Sequence, residues 1–156
     1  MADRKQDLIA DVEAARREVL EAVAGLTPAQ WQRPTRNEGW TAKDTLAHLA
    51  SIESRLREMF GLVLSGGAWP ADAPDLDTYN ARCVAERRAW PPERVVDELR
   101  RSGAETRRLL DGLAPADLDR SWTHPIRGAV TLGALVEIIP RHLREHGAEI
   151  RAAVES

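Results

Sequence analysis

The stretch TLGALVEIIPRHLREHGAEIRAAV, residues 131–154, repeats its apolar side chains at steps of three and four. The repeating positions are Leu135, Ile139, His142, His146, Ile150 and Ala153. Because an α-helix has 3.6 residues per turn, this spacing collects them on one face. The stretch therefore predicts a long amphipathic helix that begins near Thr131 and carries two histidines on its inward face. Pro140 lacks a backbone N–H, so we expect a kink beside those histidines.

Three further segments show the same helical periodicity, at residues 8–26, 41–65 and 92–113. The second of them opens with a capping box, in which the Thr41 hydroxyl accepts from the amide of Asp44 and the Asp44 carboxylate reaches back. With the carboxyl-terminal segment, the chain has four long amphipathic stretches. Four such helices in one small domain predict an all-α four-helix bundle.

The connections differ in length. Residues 65–77 are rich in Gly, Pro and Asp and are long enough for a crossover between the second and third long helices. A short helix is predicted at residues 77–90, whereas residues 27–40 and 117–130 are predicted to be turns and loops. No stretch alternates convincingly enough to predict a strand.

Length and composition exclude several classes of protein. With 156 residues, we expect one domain spanning residues 1–156. Cys83 is the only cysteine, which excludes a disulfide scaffold and a four-cysteine zinc module. The net charge of −3 argues against a nucleic-acid partner, and no apolar run nears the ~18 residues of a membrane span. With no signal-peptide pattern either, we expect a cytoplasmic protein.

The histidines carry the clearest chemical signal. His142 and His146 are four residues apart, which stacks two imidazoles on one helical face and lets both reach a common metal ion. His48 lies at the border of the apolar stripe of the second long helix, where it could supply a third ligand. His124, in a Thr-His-Pro segment, fits no such pattern, and we expect it to be exposed.

The same stretch also matches H-x-x-E-H, a metalloprotease pattern in which Glu145 would be the general base. We expect this match to be accidental, because only Glu149 and Glu155 follow His146 as acidic ligands. Glu145 is also about 100° around the helix from His146, which favours a solvated position.

Four residues are candidates for supporting the site, each with a structural alternative. Asp44 could orient His48, but capping of the helix is the favoured role. Glu149 could orient His146, but a solvated surface acid is favoured. Trp40 and Trp69 could roof a pocket, although anchoring of loops is the favoured role for both. Cys83 has no histidine near it in sequence and is interpreted as packing.

Two segments together resemble a known family. They are GWTAKDTLAHL at residues 39–49 and HLREHGAEI at residues 142–150, and the likeness extends over roughly residues 8–152. They resemble the DinB/YfiT superfamily, which includes the metal-binding domain of mycothiol-dependent maleylpyruvate isomerases and the bacillithiol S-transferases. The resemblance implies a bundle in up-down-down-up order, often a homodimer. It also implies a divalent metal, zinc or nickel, held by His48, His142 and His146.

The resemblance further implies a reaction class. A metal with three protein ligands keeps a position open, and there a low-molecular-weight thiol could be activated for S-transfer or isomerisation of a small-molecule substrate. Two alternatives stay open: a non-catalytic protein that binds or confers resistance to a small molecule or metal, and a metal-dependent hydrolase.

Overall fold

The computed structural model describes residues 2–155, which form six α-helices, one short 3-10 helix and one β-hairpin. The helices are α1 Ala2–Val23, α2 Pro28–Trp31, α3 Ala42–Ser65, α4 Leu76–Arg87, α5 Pro92–Asp111 and α6 Leu132–Glu155. The 3-10 helix spans Pro115–Asp119, and the hairpin joins β1 Ser121–His124 to β2 Gly128–Thr131. The four predicted long helices are α1, α3, α5 and α6, and the predicted short helix is α4. None of the described helices combines the length and apolar character that crossing a membrane requires.

The helices α1 and α6 run parallel. Arg4 at the start of α1 lies beside Gly133 at the start of α6, and Val19 lies beside Gly147 near the other ends. The early residues of α1 thus contact the early residues of α6, and the later residues contact the later ones. This parallel pair forms one half of the bundle.

The helices α3 and α5 also run parallel. The Lys43 ammonium at the start of α3 donates to the carbonyl of Arg88, just before α5, at 2.7 Å. Further along, the Arg57 guanidinium donates to Thr106 Oγ1 at 3.0 Å. These two helices form the other half of the bundle.

The two halves run in opposite directions. His48 near the start of α3 lies beside His146 in the last part of α6, whereas Met59 and Ile138 line one cavity nearer the other ends. The helix order is therefore up-down-down-up, with a long crossover at residues 66–91 that contains α4. This confirms the predicted fold and connection.

A buried ion pair joins α1 to α3 inside the apolar core. The Arg16 guanidinium donates to both carboxylate oxygens of Glu53, at 2.6 and 2.9 Å. The Thr106 hydroxyl donates to the same carboxylate at 2.6 Å, which brings α5 into the network. Gly103 gives Arg16 its space, since a Cβ at that position would collide with the guanidinium.

The segment predicted as a loop at residues 117–130 instead holds most of the 3-10 helix and the hairpin. Its strands pair antiparallel, with Ser121 opposite Thr131 and His124 opposite Gly128. Trp122 and His124 are buried, whereas Ser121 and Thr123 are exposed, so the strand does alternate. Four residues are too few for that alternation to stand out in a sequence. The prediction that no strand is present was therefore wrong.

Candidate metal centre

Three histidines converge where α3 crosses α6. His48 comes from α3, while His142 and His146 come from adjacent turns of α6, which continues as a helix through Pro140. One ring nitrogen from each lies within 4.8 Å of the other two. The ring centroids are 4.8 Å apart for His48 and His146, 5.3 Å for His142 and His146, and 5.8 Å for His48 and His142.

His48 is buried, His142 and His146 are half-buried, and two of the three rings have a buried nitrogen without a partner in the described part of the chain. His48 is 3% exposed, and its pKa is lowered to about 3, mainly by burial and to a smaller extent by the neighbouring His146 and His142. Burial also lowers the pKa of His142. Both rings are therefore neutral near pH 7, and a neutral imidazole has a lone pair for a metal. Nδ1 of His48 and Nδ1 of His142 are buried without a hydrogen-bond partner within residues 2–155. Such a set of neutral, unpaired nitrogens fits a divalent metal ion.

Glu149 orients the third ring. Its Oε2 lies 3.0 Å from Nδ1 of His146, and Arg36 Nε lies 3.6 Å from Oε1 of the same carboxylate. The carboxylate is an acceptor, so the proton of a neutral His146 ring is on Nδ1 and the lone pair is on Nε2. With a side chain only 12% exposed, Glu149 is not the solvated surface acid that the sequence favoured.

Two other candidates have different surroundings. The indole of Trp40 lies 5.2 Å from the His48 ring, between centroids, and covers that side of the histidine cluster. The Asp44 carboxylate accepts from the amide of Thr41 at 3.1 Å and lies 3.5 Å from the guanidinium of Arg88. Asp44 therefore caps α3, as the sequence favoured, and no hydrogen bond between described residues joins it to His48.

A cavity of about 180 Å³, here named the His142 cavity, opens beside the cluster. Its lining is mostly apolar: Ile52, Leu56, Met59, Leu76, Ile126 and Ile138. Four lining residues carry polar groups, namely Arg55, His124, Arg127 and His142. Of these, only His142 was a candidate from the sequence. Trp69, the remaining tryptophan candidate, is not one of the lining residues. Its ring centroid lies 4.9 Å from the guanidinium carbon of Arg55, which does line the cavity.

His124 was predicted to be exposed, and that prediction was wrong. Only 9% of the residue is exposed, because β1 turns it inward beside Trp122, whose ring lies 6.0 Å away between centroids. Its Nδ1 accepts from the amides of Ile126 and Arg127, at 3.0 and 3.1 Å. A neutral ring with Nδ1 as acceptor carries its proton on Nε2, so His124 is a hydrogen-bond donor in the cavity wall.

Comparison with known proteins places this geometry in a family. The sequence model of the DinB superfamily matches residues 11–150. A Bacillus mycoides protein, named provisionally as a metal-dependent hydrolase, is 26% identical over 155 residues, covering 94% of this chain and 83% of the relative.

Solved structures share the fold. YfiT of Bacillus subtilis, described as a probable metal-dependent hydrolase with an unusual four-helix bundle topology, matches with a TM-score of 0.83 and 22% identity, covering 99% of this chain and 88% of YfiT. A mycothiol-dependent maleylpyruvate isomerase matches with a TM-score of 0.80 and 13% identity, covering 94% of this chain and 60% of the isomerase. At these identities the likeness shows the fold alone. The family match, which spans most of the chain, shows that this protein belongs to the DinB superfamily.

Proposed function

We propose that His48, His142 and His146 hold one divalent metal ion, zinc or nickel, and that the protein is a metal-dependent enzyme acting on a small organic molecule. The observation that carries this proposal is the convergence of three imidazoles from two helices within 4.8 Å. The lowered pKa values of His48 and His142 support it, because protons compete weakly with a metal for neutral rings.

Three protein ligands leave a coordination position open, which is a feature of catalytic sites. When bound there, the metal would supply Lewis acidity and lower the pKa of a thiol or water molecule. The chain itself would position the ligands: Glu149 holds the ring of His146, and Trp40 shields His48.

The surroundings favour a thiol as the activated group, for S-transfer or isomerisation. Among residues 2–155, the charged side chains that line the His142 cavity are Arg55 and Arg127, and none is acidic. Two cations favour an anionic nucleophile such as a thiolate. Cys83 is buried on α4 and is not among the lining residues. The reactive sulfur would therefore belong to a low-molecular-weight thiol. The similarity of fold to a mycothiol-dependent isomerase supports the same choice.

A second candidate function is metal-dependent hydrolysis. It is favoured by the relative at 26% identity whose provisional name is metal-dependent hydrolase. In this case water would take the open position. The homodimer and the cytoplasmic location stay predictions, and sedimentation and cell fractionation would check them.

Turnover experiments test the proposed reaction. Purified protein loaded with zinc or nickel is incubated with a bacterial thiol, mycothiol or bacillithiol, and the electrophile chlorodinitrobenzene. We expect S-transfer above the uncatalysed rate, abolished by His142→Ala and kept by Arg141→Ala, a change at the exposed neighbouring position. Metal-dependent ester hydrolysis without any thiol-dependent turnover would favour the hydrolase. Metal binding without either activity would favour a binding protein.

A further inference from the structure

Arg55 is a buried cation that forms no ion pair with a carboxylate of residues 2–155. It is 7% exposed, and its guanidinium makes one hydrogen bond, from Nη2 to the carbonyl of Pro74 at 2.9 Å. Nε is buried with no partner, and Nη1 has none either within residues 2–155. The guanidinium carbon lies 4.9 Å from the ring centroid of Trp69 and 4.8 Å from that of Tyr79, so two aromatic rings hold it in place.

An uncompensated buried charge is costly, and buried arginines are normally paired. Asp75 is an acid within electrostatic range, and Arg55 is one of the smaller causes of its lowered pKa. However, the Asp75 carboxylate is occupied by the backbone amide and hydroxyl of Thr78, at 2.8 and 3.0 Å, as the cap of α4. Arg55 is therefore available for an anion that enters the His142 cavity.

Two residues of the hairpin add a further positive charge and a further hydrogen-bond donor to the cavity wall. Arg127 lies at the exposed rim of the cavity, and its guanidinium forms no ion pair with any described carboxylate. His124 contributes its Nε2–H, since the two turn amides occupy Nδ1. Apart from His142, the polar side chains of the wall are thus two cations and one hydrogen-bond donor, which suits a negatively charged acceptor.

The remaining lining limits the size and nature of the ligand. It is aliphatic, with Ile52, Leu56 and Ile138 among its members, and the volume is about 180 Å³. An apolar cavity of about 150 Å³ is sufficient for benzene, so the body of the ligand has a comparable size. His142 closes one side of this space, which places the ligand next to the proposed metal.

We propose that the His142 cavity binds the organic substrate of this protein, and that the substrate is a small carboxylate with an apolar body of about benzene size. The carboxylate pairs with Arg55 and Arg127 and accepts from His124. This inference rests on the proposed function because it treats the ligand as a substrate, but recognition of the carboxylate depends on Arg55, Arg127 and His124 and not on the metal.

The test is an NMR titration of the protein, as purified, with benzoate and with the isosteric neutral benzamide. We expect benzoate to bind and to shift amide signals of the hairpin, with benzamide binding at least tenfold more weakly. Arg127→Gln is expected to weaken benzoate binding about tenfold, because a charge-assisted contact is lost. The matched control, Arg17→Gln, changes an exposed arginine of α1 away from the cavity and leaves the affinity unchanged. Arg55→Gln gives a larger loss, if circular dichroism shows that it folds.

A second variant separates this inference from the metal proposal. His146→Ala removes a proposed metal ligand that does not line the cavity, and benzoate binding is expected to survive in it. Equal affinities for benzoate and benzamide, no effect of Arg127→Gln, or loss of benzoate binding in His146→Ala would each overturn the carboxylate pocket. The last result would mean that the carboxylate binds the metal instead. Absence of metal from the protein with benzoate binding intact would overturn only the proposed function.

Discussion

Glu149 shows how one carboxylate sets the orientation of a neighbouring imidazole. It lies one helical turn after His146 and accepts from Nδ1, which leaves Nε2 as the ring nitrogen free to bind the proposed metal. The sequence favoured a solvated surface acid at position 149, and that interpretation was wrong, since the Glu149 side chain is only 12% exposed. A side chain three residues after a histidine can extend into solvent or turn back to the imidazole. Glu149 turns back to His146, where it is half-buried beside the loop that carries Arg36.

The role of Glu149 gives a prediction for metal affinity. Glu149→Gln replaces a charged acceptor by a neutral amide, so His146 becomes a less basic and less well oriented ligand. We expect zinc affinity to fall about 10–100-fold, measured by competition with a chromophoric chelator. Glu145→Gln, at an exposed position of the same helix, serves as the control and leaves the affinity within about twofold. Equal affinities in the two variants would remove Glu149 from the site.

The burial of Arg55 and of His124 could not be predicted from the sequence. Arg55 lies three residues after Ile52, at the border of the apolar face of α3. An arginine at such a position normally extends its charged end into water. It is buried because Trp69 and Tyr79, from the crossover and α4, enclose its guanidinium. That enclosure depends on contacts between distant segments, which periodicity along one helix cannot show.

The helices and the hairpin differ in how far their sequences predicted them. The helices α1, α3, α5 and α6 are each at least 20 residues long, and apolar side chains recur along most of that length, so the four long helices and their inward faces could be predicted. The hairpin has strands of only four residues, and its main sequence signal is Gly128, which adopts a φ of +74°. One glycine is a weak signal for a turn, and the hairpin was therefore missed.

The hairpin and α3 offer a matched pair of glycine substitutions. Gly128→Ala places a Cβ at a φ of +74°, a conformation that costs about 1–2 kcal/mol for a residue other than glycine. Gly61→Ala places a Cβ on an exposed face of α3 with open space around it, where alanine favours the helix by about 0.5–1 kcal/mol.

We expect the two changes to shift the free energy of unfolding in opposite directions, lower for Gly128→Ala and higher for Gly61→Ala, in urea titrations. Because the hairpin forms one wall of the His142 cavity, Gly128→Ala is also expected to weaken benzoate binding. A stability loss of the same size in both variants would contradict the assigned backbone conformations.

The arrangement of the whole bundle explains why residues nearly 100 positions apart form one site. The two parallel pairs of helices run in opposite directions, so the beginning of α3 meets the later turns of α6. His48 and His146 are thereby brought together, while the crossover and the hairpin close the cavity beside them. The spacing of His142 and His146 was sufficient to predict a two-histidine face. The helical pattern gave His48 only as a possible third ligand, and the family resemblance supplied the stronger argument for it.

A metal ion bound there would link α3 to α6 and stabilise the folded state in proportion to its affinity. The most direct test of the site is the metal content of the purified protein and of His48→Ala, His142→Ala and His146→Ala, measured by plasma mass spectrometry after equal loading with zinc. The three-histidine site predicts one ion per chain in the unaltered protein and its loss in each variant. An unaltered protein without bound metal, or variants that retain a full equivalent, would contradict it.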